Sequence, residues 1–343
     1  MEKFKRSLKK TLRALNLLRH CLTARNSFLL YLQRQKEPPR RKFIISANMG
    51  GLCNRIKCLI TCMRLAERMS RTVELSWGRN ALCNCLFRDL FENNFLETSR
   101  KVTDILSQAP FPGEPDRYFI INTWRLLTLP GEFAAGPREA YPSPEGNSID
   151  FEFDRIPQAL RRDFLAHLDK LVPVSYVRKE VENFSKRFGE NTVSVSIRSW
   201  PDAKTIREHL FRLESVYAVL DKETGADFFI SCDSGEVLEK LIQRYGKRVI
   251  FYPKRTWTNN RTSRTGMQDI LIDLLLLARN KSLKVSAYST YSEMAWWFGG
   301  CKARVEVLEN EADLEKFRNP INLNNYATLI PADILRRAAD VGP

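Results

Sequence analysis

Apolar residues along this chain change period several times, and each change predicts an element. Phe4, Leu8, Leu12, Leu15, Leu18 and Leu22 recur every three or four positions with Lys and Arg between them, the stripe of a basic amphipathic helix. Glu37-Pro38-Pro39-Arg40-Arg41 ends that segment as a linker. Short apolar runs at 43–47, 73–77 and 118–122 then predict strands, and a helical stripe runs over 52–69. A Pro- and Gly-rich stretch at 131–147 predicts loop, and a helical region at 157–188 links two halves. Beyond it the rhythm is regular. Strands are predicted at 193–197, 228–231, 248–252, 283–286 and 304–308, with helices at 214–222, 235–245, 268–278 and 291–298 between them. Buried strands alternating with helices predict parallel α/β architecture in two Rossmann-like halves. No repeat of solenoid length is present.

Composition narrows the class. The chain has 343 residues, enough for two domains, and 43% hydrophobic residues exclude a mainly disordered or collagen-like chain. The formal charge is +15, from 55 Lys and Arg against 40 Asp and Glu. Thirteen of those basic residues lie in 1–42 against Glu2 and Glu37, so +11 belongs to the arm and only +4 to the other 301 residues. The arm reads first as a membrane-surface element, each basic residue contributing about 1 kcal/mol near an anionic leaflet. Packing of the helix on the body, or contact with nucleic acid, are its other readings. The longest apolar runs, at 28–32 and 270–278, fall far short of the about 20 residues that span a bilayer. Arg13 and Arg19 interrupt the only region that could form the apolar core of a secretory signal. Eight Cys without such a signal read as reduced thiols in a cytoplasmic protein. The cluster Cys53, Cys58, Cys62, Cys83 and Cys85 lacks metal-ligand spacing, so no metal site is expected.

Four segments could carry chemistry. The first strand runs into Gly50-Gly51-Leu52-Cys53-Asn54-Arg55 and a helix, where glycines let the backbone turn sharply and free N–H groups face an anion. A tight turn alone would also use them. Arg198 follows the 193–197 strand, the carboxyl-end position at which open α/β sheets bind ligands, and its fork suits phosphate oxygens. A surface ion pair is the bland alternative. Residues 254–264 form a basic, hydroxyl-rich loop before a helix whose apolar run is interrupted by Asp273, a costly carboxylate unless partnered. Ser289-Thr290-Tyr291-Ser292 opens another helix and suits phosphate binding or simple capping.

Taken together these segments resemble the fucosyltransferase superfamily of GT-B fold, notably its nodulation and α-1,6-fucosyltransferase branches, over about residues 41–310. Arg71-Thr72-Val73-Glu74-Leu75-Ser76-Trp77 is similar to a family strand, but the second half carries more. The resemblance implies that Arg198 takes the phosphate-binding role of the family's His-x-Arg. Ser196 stands in place of the His, and Ser199 in place of a following Arg. Glu208, in Arg207-Glu208-His209-Leu210-Phe211, is the implied base, with Asp202 its rival. Arg261 and, twelve residues on, Asp273 match the family's guanine readers. Thr290, Tyr291 and Ser292 are similar to its phosphate motif, Ser289 before them and Gly50, Gly51, Asn54 and Arg55 join the donor site, and Asp233 supports it. The implied fold is GT-B, two Rossmann-like domains facing a cleft, preceded by the basic amphipathic helix. The implied organisation is an arm and linker over 1–40, an acceptor-side domain with linking helix over 41–188, a nucleotide-sugar domain over 189–330 and a C-terminal helix over 331–343. The implied reaction is inverting, metal-independent transfer of fucose or a related sugar from a GDP-sugar donor to a hydroxyl of a cell-envelope or secreted glycan, without further cofactor. Animal members carry a transmembrane anchor, so the expected setting is bacterial polysaccharide biosynthesis, cytoplasmic and peripheral on the inner face of the membrane through residues 1–36. A nucleic-acid-binding protein, and a non-catalytic GDP-sugar-binding member of the family, are the alternatives.

Overall fold

The structure is a computed structural model that describes residues 42–48, 50–98, 118–122, 158–199, 211–256, 260–287 and 289–310. The expected arm, the 131–147 loop, the C-terminal helix, Asp202 and Glu208 lie outside the described residues.

Strand β1 (Phe43–Asn48) sits inside a parallel sheet because Phe43, Ile44, Ile45 and Ala47 bury apolar side chains on both faces. It pairs with β2 (Thr72–Trp77) on one side and β4 (Tyr118–Asn122) on the other, and the two-residue β3 (Leu96–Glu97) extends the β2 edge. The second sheet is centred on β5 (Thr192–Ile197), buried along its whole length. Its order is β7-β6-β5-β8-β9, with β6 (Asp227–Cys232), β7 (Val249–Ile250), β8 (Ser282–Val285) and β9 (Arg304–Val307) all parallel. In both sheets the chain leaves the central strand to one side and later returns to the other. Each sheet therefore has a topological switch point, at the carboxyl ends of β1 and β5. These are the two parallel α/β halves that the alternation of strands and helices led us to expect.

Helix α1 (Leu52–Arg68) is buried over most of its surface, more than a one-sided stripe requires. It lies against the first sheet and also meets α2 (Gln158–Leu168) and α7 (Thr290–Phe298). Three basic residues on α1 are consequently buried, and each has an acceptor: Arg55 has backbone carbonyls, Lys57 has Glu293 at 2.8 Å, and Arg64 has Asp163 at 2.7 Å. Apolar packing is continuous between the halves here, with Phe164 of α2 against Trp297 of α7 at 4.1 Å between ring centroids. A second cluster fills the outer face of the second sheet beneath α4 (Leu213–Leu220) and α5 (Gly235–Tyr245).

Some elements differ from expectation for identifiable reasons. The helical region over 157–188 divides into α2 and α3 (Ser175–Ser185) around Pro173, whose ring and missing N–H end a helix. The two pieces then part: α2 packs on α1, whereas α3 packs on α6 (Arg264–Leu277) of the second half, with Tyr252 donating to Glu180 at 2.9 Å. Helix α6 begins at Arg264, ahead of the expected 268, because Ser263 caps it by accepting the Gly266 N–H. The strand expected over 248–252 shrinks to Val249–Ile250, since Gly246 at φ 58° turns the chain into a 3-10 segment, Gly246–Arg248, first. Every cysteine among the described residues is a free thiol, and no described helix is long and apolar enough to cross a membrane.

Lys57 and Glu293 are almost fully excluded from water and join the two halves. Lys57→Met should therefore lower unfolding free energy by about 3–5 kcal/mol by stranding the Glu293 charge. Lys57→Met combined with Glu293→Leu should recover most of that loss, as urea denaturation of both variants will measure.

Candidate active site

The two switch points open into one cavity of about 300 Å³. From the first half come Gly51, Leu52, Cys53, Asn54 and Leu82; from the second come the ends of β5 and β6, Lys254, Arg261, one face of α6 and the start of α7. The cleft is thus built of chain ends that the parallel topology brings together.

Arg198 leaves β5 directly into this space. Its Nη1 lies 2.9 Å from Oδ2 of Asp233, and its backbone N–H donates to Ser286 Oγ at 3.0 Å. Asp233 Oδ1 accepts from both the N–H and the hydroxyl of Ser199, each at 2.8 Å, so one carboxylate fixes the turn and aims the guanidinium. Burial draws the Arg198 pKa down, Asp233 opposes this, and the positive charge of Arg261 adds to the lowering. Two guanidinium groups in electrostatic reach of each other, lining one cavity, are suited to an anion with more than one charged oxygen. Asp233, expected as a support, does support Arg198, and it also lines the cavity.

Asp273, on α6, is buried to 1% exposure. Its Oδ2 is 2.8 Å from Lys254 Nζ and accepts from Ser231 Oγ at 3.0 Å, while Oδ1 has no hydrogen-bond partner. Burial pushes this carboxyl up from the ordinary carboxylate range, and the Lys254 ammonium pulls it back. Lys254 also donates to the Cys232 carbonyl at 2.8 Å, which holds the ammonium at the end of β6. The partner that a carboxylate in an apolar run demands is therefore Lys254, from the expected basic loop. Within that loop Arg255 is bound to Asp269, and Arg264 reaches Asp89 at 3.3 Å.

The α7 motif divides by function. Ser289 caps the helix by accepting the Ser292 N–H at 3.3 Å, and Ser289, Thr290 and Tyr291 line the cavity. Ser292 points the other way, its hydroxyl 2.8 Å from that of Ser196 in the buried layer beneath the cleft. Tyr291 donates to the Ile270 carbonyl at 3.0 Å, and burial, then the Asp273 charge, raises its pKa. The glycine turn divides likewise. Gly51 and Asn54 line the cavity, while Gly50 presents its carbonyl to Arg55 Nε at 2.6 Å. Arg55 is wholly buried, spans to the Gly78 carbonyl at 2.6 Å and lies over the Trp77 ring, so it shapes the turn from behind. Helix phase shows why: Arg55 follows Leu52 by three positions and precedes Leu59 by four, on the face that packs inward.

Residues that the sequence did not single out complete the walls. Met267 and Ile270 give α6 an apolar face toward the cavity, and Cys53 and Cys232 line it. Burial pushes the Cys232 thiol up to about 12 and that of Cys53 higher still, so neither is an activated nucleophile. Asn84 ties the wall to the first half, its N–H donating to the Arg261 carbonyl at 2.9 Å and its amide to the Thr262 carbonyl at 2.7 Å. No cluster of His, Cys, Asp and Glu able to hold a metal occurs among the described residues.

Arg55→Met should leave the Gly50 and Gly78 carbonyls without their donor, at about 1–3 kcal/mol for each group that stays buried. Guanidinium denaturation should register the loss, and Arg55→Lys, which keeps a charge but not the fork, should recover only part of it.

No family model matches the chain, and no curated protein matches it. Among solved structures it is similar to the fucosyltransferase NodZ from Bradyrhizobium, with 15% identity over 75% of this chain and 91% of that one, at a TM-score of 0.49. It is similar to a mutant of Arabidopsis thaliana FUT1 in complex with GDP, with 14% identity over 79% of this chain and 71% of that one, at 0.48. POFUT1 in complex with GDP-fucose gives 12% identity over 79% of this chain and 98% of that one, at 0.44.

Proposed function

We propose that this chain is a glycosyltransferase that moves fucose or a related sugar from a GDP-sugar to a hydroxyl of a glycan. The observation that carries the reading is the convergence of Arg198 and Arg261 with the start of α7 in one cleft between two switch points. Breaking the anomeric C–O bond leaves negative charge on the departing diphosphate while the sugar gains oxocarbenium character. Arg198, held in place by Asp233, stabilises that charge, and Arg261 and the N–H groups at Thr290 and Tyr291 share it. The Met267 and Ile270 face of α6 takes the apolar surface of the base, and Asp273 takes its N–H edge. An acceptor hydroxyl must lose its proton to a carboxylate, the role we assign to Glu208 or to its rival Asp202. Residues 1–36 hold the enzyme at an anionic membrane surface beside its acceptor.

Against the nucleic-acid reading stands the pairing of the basic loop: Lys254, Arg255 and Arg264 each have an aspartate partner. Calorimetry separates the two readings, because GDP should bind saturably in high salt, whereas phosphate-backbone binding collapses there. The burial of Ser196 against Ser292, in the place where the family resemblance implies His, is the observation on the side of the non-catalytic reading. Turnover decides between them.

Arg198→Ala should reduce transfer from GDP-fucose, or its hydrolysis, at least about 100-fold with the fold intact by circular dichroism. No transfer or hydrolysis by the unaltered protein, with GDP still bound, would leave the non-catalytic reading standing. Of Glu208→Gln and Asp202→Asn, the one that removes the base should lower kcat by about 100-fold or more and flatten the acidic limb of the pH–rate profile.

A further inference from the structure

Asp273 enters the cleft with its two oxygens in different states. Oδ2 is occupied by Lys254 and Ser231, whereas Oδ1 is buried and has no hydrogen-bond partner. A carboxylate that reads guanine through both oxygens grips the ring N–H and the exocyclic 2-amino group together. Here one oxygen is committed within the protein, which leaves a single acceptor for a single donor.

Beside that acceptor stands a cation. The Lys254 ammonium, 2.8 Å from Oδ2 and fixed by the Cys232 carbonyl, lines the same cavity, as does the apolar side of α6 at Met267 and Ile270. A positive donor adjacent to a negative acceptor is complementary to a carbonyl next to an N–H, the lactam edge of a 6-oxopurine. Adenine presents the reverse pattern, an amino group next to an unprotonated ring nitrogen. It would set its lone pair against Oδ1 and its amine against the ammonium, leaving buried groups mismatched on both sides.

We propose that Lys254 is a specificity-determining residue, and that with Asp273 it reads the O6/N1–H edge of a purine while ignoring the 2-amino group. The inference rests on the GDP-sugar reading and sharpens it. Ser231 belongs to the device, since its hydroxyl helps hold Oδ2 away from the ligand.

Calorimetric titration of the unaltered full chain with GDP, IDP and ADP, in salt high enough to suppress general phosphate binding, tests this directly. GDP and IDP, which differ only by the 2-amino group, should bind within about threefold of each other, and ADP should bind at least about 30-fold more weakly, as expected for mismatched hydrogen bonds to charged groups. Lys254→Met should shrink the GDP-to-ADP preference at least tenfold, with thermal unfolding as the check on its fold. IDP binding tenfold or more weaker than GDP would overturn the proposal, because the 2-amino group would then be read. Equal binding of all three would overturn it too, while leaving a diphosphate site in place. Binding of none would overturn the GDP-sugar reading itself, and this inference with it. Should Lys254→Met not fold, the comparison of GDP with IDP on the unaltered chain still decides.

Discussion

The buried ion pair between Lys57 and Glu293 is the contact on which the architecture of the cleft depends. Lys57 lies on α1 a little beyond Gly51, Leu52, Cys53 and Asn54, which form one wall, and Glu293 follows Thr290 and Tyr291, which form another. Trp297 donates to the second oxygen of Glu293 at 3.3 Å, so the carboxylate is held by two partners from two helices. Desolvating two charges is expensive, and it is compensated only when geometry and additional hydrogen bonds are good. The pair consequently tolerates little change in the spacing of α1 and α7. Because the amino-terminal turns of those helices are the walls, that spacing is the width of the cleft.

Charge placed out of water recurs throughout the molecule, and its partners show what it is for. Arg55 and Arg64 on α1 serve structure, one gripping two carbonyls and the other an aspartate. Arg198 is different. Its counter-charge, Asp233, is shared with Ser199, and a second guanidinium nearby works against it. A site that already assembles positive charge against electrostatic repulsion needs no rearrangement when an anion arrives, which is the economy of preorganisation. Asp273 mirrors this with the opposite sign, a carboxyl group buried in an apolar run and held at one oxygen by the Lys254 ammonium.

The fold was largely legible in the sequence because buried parallel strands announce themselves by short β-branched runs, as in Thr192–Ile197. Arg198 was legible for the same reason, since the end of such a strand is where ligands bind. Asp273 stood out by the cost of its burial, but Lys254 as its partner did not, because the path of the loop between them is set by tertiary contacts. The two-residue strand Leu96–Glu97 has no periodicity to read, and its place is fixed only by pairing with β2. Arg55 and Ser292 had the right chemistry for ligands and the wrong phase on their helices. Polar residue type at a helix start says what a side chain can do, and only the turn of the helix says which way it looks. For the arm and for Asp202 and Glu208 the sequence remains the whole of the argument.

Asn84 gives the cleft one more property. It belongs to the first half, yet it holds the carbonyls of Arg261 and Thr262, in a 3-10 turn that leads into α6 of the second half. Arg198 belongs to the second half outright, rooted in the central strand of its sheet. Both guanidiniums thus belong to the second half, but the backbone that carries Arg261 is also tied to the first half through Asn84. An anion that bridges the pair would touch a wall residue whose backbone both halves hold.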